Sequence, residues 1–256
     1  MRKIMVVILL ILCLSSCNMS DFENTDVFST TEPTVQVIPS PAVTDVPQPL
    51  HSTLYSSDLT VEDIITYFNE VCLDAEFVNE GNPHKLQKWN SPIYYYILGD
   101  ATETDLAVFH GFCNWLNTLN GFPGIFESES QYDANLKIHF CDYETMVYLL
   151  GDNFHGMDAG VTFWYDYDVI YDEIICIRTD VSQILRNSLI LEELYNGLGP
   201  VQDTVLRPDS IIYSDYSEPQ ELSQVDELLL KLLYHPDMKC GMDAAECEEI
   251  IRKLYY

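Results

Sequence analysis

From Leu59 onward the chain switches between two hydrophobic periods, and the switches lay out its elements. Val61, Ile64, Ile65, Phe68 and Cys72 recur at helical spacing behind Thr60, a capping residue, with Asp63 near the positive end of the helix. Residues 93–98 form an apolar run of strand length. Leu106, Phe109, Cys113 and Leu116 stack on one face of a second helix, near 105–119, which stops at Gly121. Leu136, Ile138 and Phe140 alternate with Lys137 and His139, the period of a half-buried strand. Residues 160–167 and 173–178 read as two further strands that a hairpin would join, and helices over 181–198, 222–234 and 243–255 close the chain. Strands interleaved early and helices gathered late predict a mixed α/β (α+β) domain with a helical C-terminal part.

The residues before Leu59 follow different rules. Arg2 and Lys3 precede an uninterrupted apolar run, 4–14, of the length of an export-signal core and well short of the ~20 residues that span a bilayer. The run ends in Leu14-Ser15-Ser16-Cys17, which resembles the bacterial lipobox: a branched apolar residue, two small residues that enter the peptidase cleft, then cysteine. That resemblance implies cleavage before Cys17 and a lipid on its thiol, with palmitate among the acyl chains. The implied partner is a membrane, and the implied location is the extracytoplasmic face of the cell membrane. Two acyl chains hold a protein to a bilayer durably, where one does not. The alternative is an uncleaved N-terminal anchor with an incidental cysteine. Residues 18–58 are rich in Ser, Thr, Pro, Asp and Asn, and no Lys or Arg occurs between Lys3 and Lys85. Such a stretch buries too little apolar surface to fold, and as a flexible spacer would span on the order of 35 Å. The expected organisation is a signal peptide at 1–16, a lipidated cysteine and linker at 17–58, and one globular domain at 59–256.

Charge narrows the partners. With 41 acidic and 12 basic residues the net charge is −29, and loss of Arg2 and Lys3 with a signal takes it to −31. Nucleic acid is excluded as an expected partner, because phosphate binding needs a basic surface. Anionic lipid offers no electrostatic hold either, which leaves the lipid at Cys17 as the anchor. Six cysteines lie beyond the leader without a C-x-x-C pair, so neither a zinc knuckle nor a thioredoxin-like site is supported. Most are expected as buried thiols, with Cys240 and Cys247 spaced for a local disulfide.

The stretch from Leu191 to Asp203 carries the most chemical information. By itself it is a helix that stops at a glycine, with proline following. Its spacing resembles the long zinc signature of metzincin proteases, H-E-x-x-H-x-x-G-x-x-H. In that register Glu193 falls on the catalytic glutamate and Gly199 on the turning glycine, while Glu192, Asn196 and Gln202 hold the three ligand positions. Ser210-Ile211-Ile212-Tyr213 resembles the turn beneath the metal, with Ile212 where methionine usually stands. A closer resemblance is to the bacterial family catalogued as domain of unknown function 2927. It is carried by Glu192, Glu193, Leu198, Gly199, Asp203, Ser210, Ile211, Asp226, Leu233, Tyr234, Gly241 and Met242. The chain departs from that pattern at Asn196, Pro200, Gln202 and Ile212. The match covers most of 85–256, implies a zincin-like mixed sheet with helices, and carries little chemistry.

Zinc hydrolysis needs three good ligands and an open coordination position. Here every expected histidine is replaced, and the six histidines include no i, i+4 pair. No metal or other cofactor is therefore expected. Glu193 stays as the one candidate catalytic residue, Glu192, Asn196, Gln202 and Asp203 as candidate binding positions, and Arg178 or Arg186 as the cation to pair with a glutamate. The leading expectation is a non-catalytic binding or structural domain with a protein, peptide or cell-wall partner. One alternative is a peptidase-like hydrolase using Glu193 as general base with an unconventional metal site. Another is a cell-wall or solute-binding lipoprotein whose groove uses Trp164, Tyr165, Tyr167 and Tyr171. Asp166, Asp168, Asp172 and Glu173 lack EF-hand spacing and read as a solvated hairpin turn.

Overall fold

The computed structural model describes residues 7–8, 59–73 and 85–255. Cys17 and the linker lie outside them. Among the described residues seven strands form one mixed sheet: β1 (Val7–Ile8), β2 (Lys88–Trp89), β3 (Ile93–Gly99), β4 (Ile125–Glu127), β5 (Leu136–Cys141), β6 (Ala159–Asp166) and β7 (Val169–Arg178). Their order is β1-β6-β7-β5-β3-β4, with β2 parallel to the first residues of β7. Strands β7, β5, β3 and β4 run parallel, and β6 is antiparallel to β7. The helices are α1 (Val61–Leu73), α2 (Glu103–Leu116), α3 (Tyr143–Leu150), α4 (Gln183–Gly197), α5 (Gln224–Leu233) and α6 (Ala244–Tyr255). The mixed α/β class follows, and among the described residues no helix is long and apolar enough to cross a membrane.

Alternation along β7 separates the two faces of the sheet. Ile175 and Ile177 belong to the main core with α4, whereas Cys176 packs with Met146, Leu150 and Phe154 beneath α3. In β5, Leu136, Ile138 and Phe140 are buried and the intervening residues half-buried, as the sequence period requires. Thr60 and Asp63 cap α1 reciprocally. The Thr60 N–H donates to the Asp63 carboxylate (2.9 Å) and the Asp63 N–H to the Thr60 hydroxyl (3.2 Å).

Three departures from the sequence pattern stand out. Helix α2 ends at Leu116, because Asn117 caps it and pairs both ways with the Ile125 backbone (2.8 and 2.9 Å), tying the helix end to β4. Helix α3, capped by Asp142, forms where the pattern predicts no element. Cys240 and Cys247 are separate thiols, so the local pair their spacing allows does not form. Cys247 is sealed in the core on α6, while the Cys240 thiol faces the Lys88 carbonyl at 3.6 Å.

The C-terminal helices are held by a few buried polar joints. The Asp226 carboxylate, at the start of α5, accepts from the Ser210 hydroxyl (2.6 Å), the Ile211 N–H (3.0 Å) and the Ser223 N–H and hydroxyl (2.9 and 2.8 Å). Tyr67 of α1 shares a hydrogen bond with the same Ser210 hydroxyl at 2.9 Å. Elsewhere the Lys88 ammonium donates to the Leu233 and Met238 carbonyls (2.6 and 2.9 Å), and burial pulls its pKa down to about 8. Removing Asp226 strands several buried donors at once, each costing ~1–3 kcal/mol. Asp226→Ala is expected to lower the unfolding free energy by about 3 kcal/mol or more, read by urea denaturation. A loss below about 1 kcal/mol would show that this joint does not fix the 210–226 region.

Candidate functional site

Helix α4 positions the signature residues. The Ser182 hydroxyl caps its start by accepting from the Leu185 N–H (3.2 Å), and every residue from Ser188 to Gly197 is buried. The helix packs on β6 and β7 with one face and against α2 with another, and the Tyr195 hydroxyl donates to the Asp226 carbonyl on α5 (3.2 Å). A helical segment enclosed on all sides, as 188–197 is, carries any polar residue in its sequence into the interior.

Glu193 is wholly buried, and among the described residues neither carboxyl oxygen has a hydrogen-bond partner. Asn196 is buried too, and among the described residues neither of its amide atoms has a partner. Glu173 of β7 reaches the same helix and is also buried. Gly197 makes room for it, since a Cβ there would collide with the Glu173 carboxyl group. The Trp89 indole N–H donates to the Gly197 carbonyl at 3.0 Å and ties β2 to the helix end. Burial pushes the pKa of Glu193 well up, and the carboxyl groups of Asp203 and Glu173 push the same way. Burial likewise raises Glu173, with only the Trp89 indole opposing it. Burial therefore favours the protonated form of both, the form in which a carboxyl tolerates a low-dielectric interior.

The expected cations go elsewhere. Arg178 pairs with Asp158 (2.9 Å) and Asp180 (2.7 Å), and Arg186 reaches back to Asp105 (2.8 Å) at the start of α2. Neither neutralises a signature glutamate, which corrects the expected pairing. Glu173, expected in a solvated turn, lies in the interior instead. The turn itself is made by Tyr167 and Asp168, both in the left-handed region (φ 48° and 63°). The strand period locates Glu173 correctly: it shares its face with Ile175 and Ile177. Of the hairpin aromatics, Tyr167 and Tyr171 are exposed, whereas Tyr165 packs on the core.

The remaining signature positions separate. Glu192 and Asp203 line one cleft of about 50 Å³ together with Asp158 and the 213–217 loop. Gln202 is half-buried outside that lining, with its backbone N–H directed at the Val71 carbonyl (3.3 Å). A larger cavity of about 350 Å³ lies between α1 and α5, lined by none of the signature positions. Among the described residues no three His, Cys, Asp or Glu side chains converge as metal ligands. The donors do not fit zinc: Asn196 is a neutral amide, and Gln202 stands apart from the cleft that Glu192 lines.

Fold and site together define a mixed α/β domain organised on an enclosed helix with buried carboxyl groups. The chain belongs to the protein family of unknown function DUF2927, whose model matches residues 61–253. No curated protein matches it.

Two outcomes test this geometry. Gly197→Ala is expected to displace Glu173 and cost about 2–3 kcal/mol of stability by overpacking, measured by thermal or urea unfolding. Glu193 and Glu173 titrate above their ordinary value of 4.5, so the folded state holds protons that the unfolded chain releases. Their contribution is complete below that value and is lost as pH rises toward the folded-state pKa. The melting temperature should therefore fall less between about pH 5 and pH 9 in Glu193→Gln than in the unsubstituted chain. Parallel curves would show that Glu193 is ionised in the folded protein.

Proposed function

We propose that this chain is a lipid-anchored, extracytoplasmic binding protein built on a degenerate, non-catalytic zincin-like domain. Residues 1–16 serve as the signal peptide, Cys17 carries the lipid, 17–58 is the leash and 59–256 is the binding domain. Its partner is a protein, a peptide or cell-wall material rather than nucleic acid, in keeping with the net charge of −29. The zincin-like reading draws support from an antiparallel β6–β7 hairpin within an otherwise parallel sheet, followed by a helix that carries the signature and a turn at Gly199. Gly199 has φ 129°, and a Cβ there would meet the Gln87 carbonyl oxygen at 2.5 Å.

The observation that carries the non-catalytic reading is the enclosure of Glu193. A general base must be ionised and within hydrogen-bond reach of a water or substrate. Glu193 has no exposed surface, and its burial favours the neutral acid. Metal analysis of the full chain, with peptidase assays of it and of Glu193→Gln, tests the reading. The expected result is no stoichiometric zinc and the same background rate for both proteins. Stoichiometric zinc with activity lost in the variant would overturn it. For the anchor, Cys17→Ser should move the protein from the membrane fraction to the soluble one, and continued membrane retention would contradict lipidation.

A further inference from the structure

Glu192 differs from its neighbour Glu193 in one decisive respect: it lines a cleft. The residue is only 7% exposed. Its surroundings supply burial and the carboxyl groups of Glu193 and Asp203, and among the described residues none donates a hydrogen bond to it. Side chains buried to this degree ordinarily have a partner. What this one lacks is a cation. Two other acids of the cleft lean on groups of their own: Asp158 is met by Arg178 at 2.9 Å, and Asp215 accepts from the Tyr213 hydroxyl at 3.3 Å.

We infer that the cleft at Glu192 binds an organic ammonium group, the head of an aliphatic amine such as a lysine side chain. This rests on the non-catalytic binding reading and supplies its ligand class. Two features select the chemistry. First, the described acidic groups do not converge as a metal-ligand set, so a divalent ion would lack the ligands it needs, whereas an ammonium requires only acceptors for its three N–H groups. Second, Met157, Leu185 and Leu189 line the same cleft beside the carboxyl groups, complementary to a ligand with a methylene stem and a charged tip. The volume of about 50 Å³ is several times the ~10–15 Å³ that one water needs, which admits the head and its adjoining carbons. Without a ligand, burial favours the protonated form of Glu192, so seating an ammonium beside it releases a proton to solvent.

Isothermal titration calorimetry of the full chain tests this with acetyl-Ala-Lys-Ala-amide, the same peptide acetylated on the lysine Nε, n-butylamine, MgCl2 and CaCl2. The lysine peptide is expected to bind with proton release, read as a heat that depends on the buffer's ionisation enthalpy. Its Nε-acetylated form should bind at least tenfold more weakly, and Glu192→Gln should lose at least tenfold in affinity. The variant should melt no lower than the unsubstituted chain, because Gln keeps the shape of a side chain that has no partner to lose. If n-butylamine matches the peptide, the source is a free amine; if it binds tenfold more weakly, the source is a peptide side chain, and either supports the inference. Equal binding of the acetylated peptide, unchanged affinity in Glu192→Gln, tighter Mg²⁺ or Ca²⁺ binding at Glu192, or no amine binding would each overturn it. Absence of amine binding together with absence of zinc would remove this inference while leaving the non-catalytic reading intact.

Discussion

Enclosure of α4 is the constraint from which the rest of the structure follows. A helix with β6 and β7 on one side and α2 and α5 on others cannot expose its charged positions by rotation. Each polar group along it therefore needs its own solution. Arg186, near the N-terminal end, is matched by Asp105 at 2.8 Å and by the Thr179 carbonyl at 3.0 Å. Burial favours the neutral acid at Glu193 in the middle. Glu192, one residue earlier, reaches a small cleft. At the C-terminal end the absent side chain of Gly197 leaves the space that Glu173 fills.

The exit from α4 is fixed just as closely, and it ties the helix to the C-terminal half. The Tyr234 hydroxyl donates to the Leu198 carbonyl at 2.8 Å, and the Lys88 ammonium to the carbonyl of Leu233. Leu86 pairs through its backbone with Gly241 and Met242. Ser210 and Asp226 form the other joint. Many positions that carry the resemblance to DUF2927 are thus structural tie points. These positions act as fold constraints, each joining elements that lie far apart in the sequence.

What the sequence shows best is local. The Thr60–Asp63 capping box, the alternation in β5, the β6–β7 hairpin and the helical periods of α1, α4, α5 and α6 all depend on neighbours a few residues apart. Helix α3 escapes the pattern because it is only eight residues long and buries just Met146 and Leu150 fully, too little to set a clear period. Strands β2 and β4, at two and three residues, are too short for alternation to register. In the site, α4 and its turn are legible. The partnership of Arg186 with Asp105 is not, because it joins residues 81 positions apart through packing that no local pattern encodes. Enclosure of Glu193 depends in the same way on α2, α5 and the sheet meeting around one helix.

Glu193 is sealed in the interior, where burial favours the neutral acid over an ionised base. Infrared difference spectroscopy of the full chain against Glu193→Gln at pH 7 reads this directly, through the carbonyl stretch of a protonated carboxyl group. A protonated-acid band present in the unsubstituted protein and lost in the variant is the predicted result. A carboxylate band lost instead would contradict this by placing an ionised Glu193 in the interior.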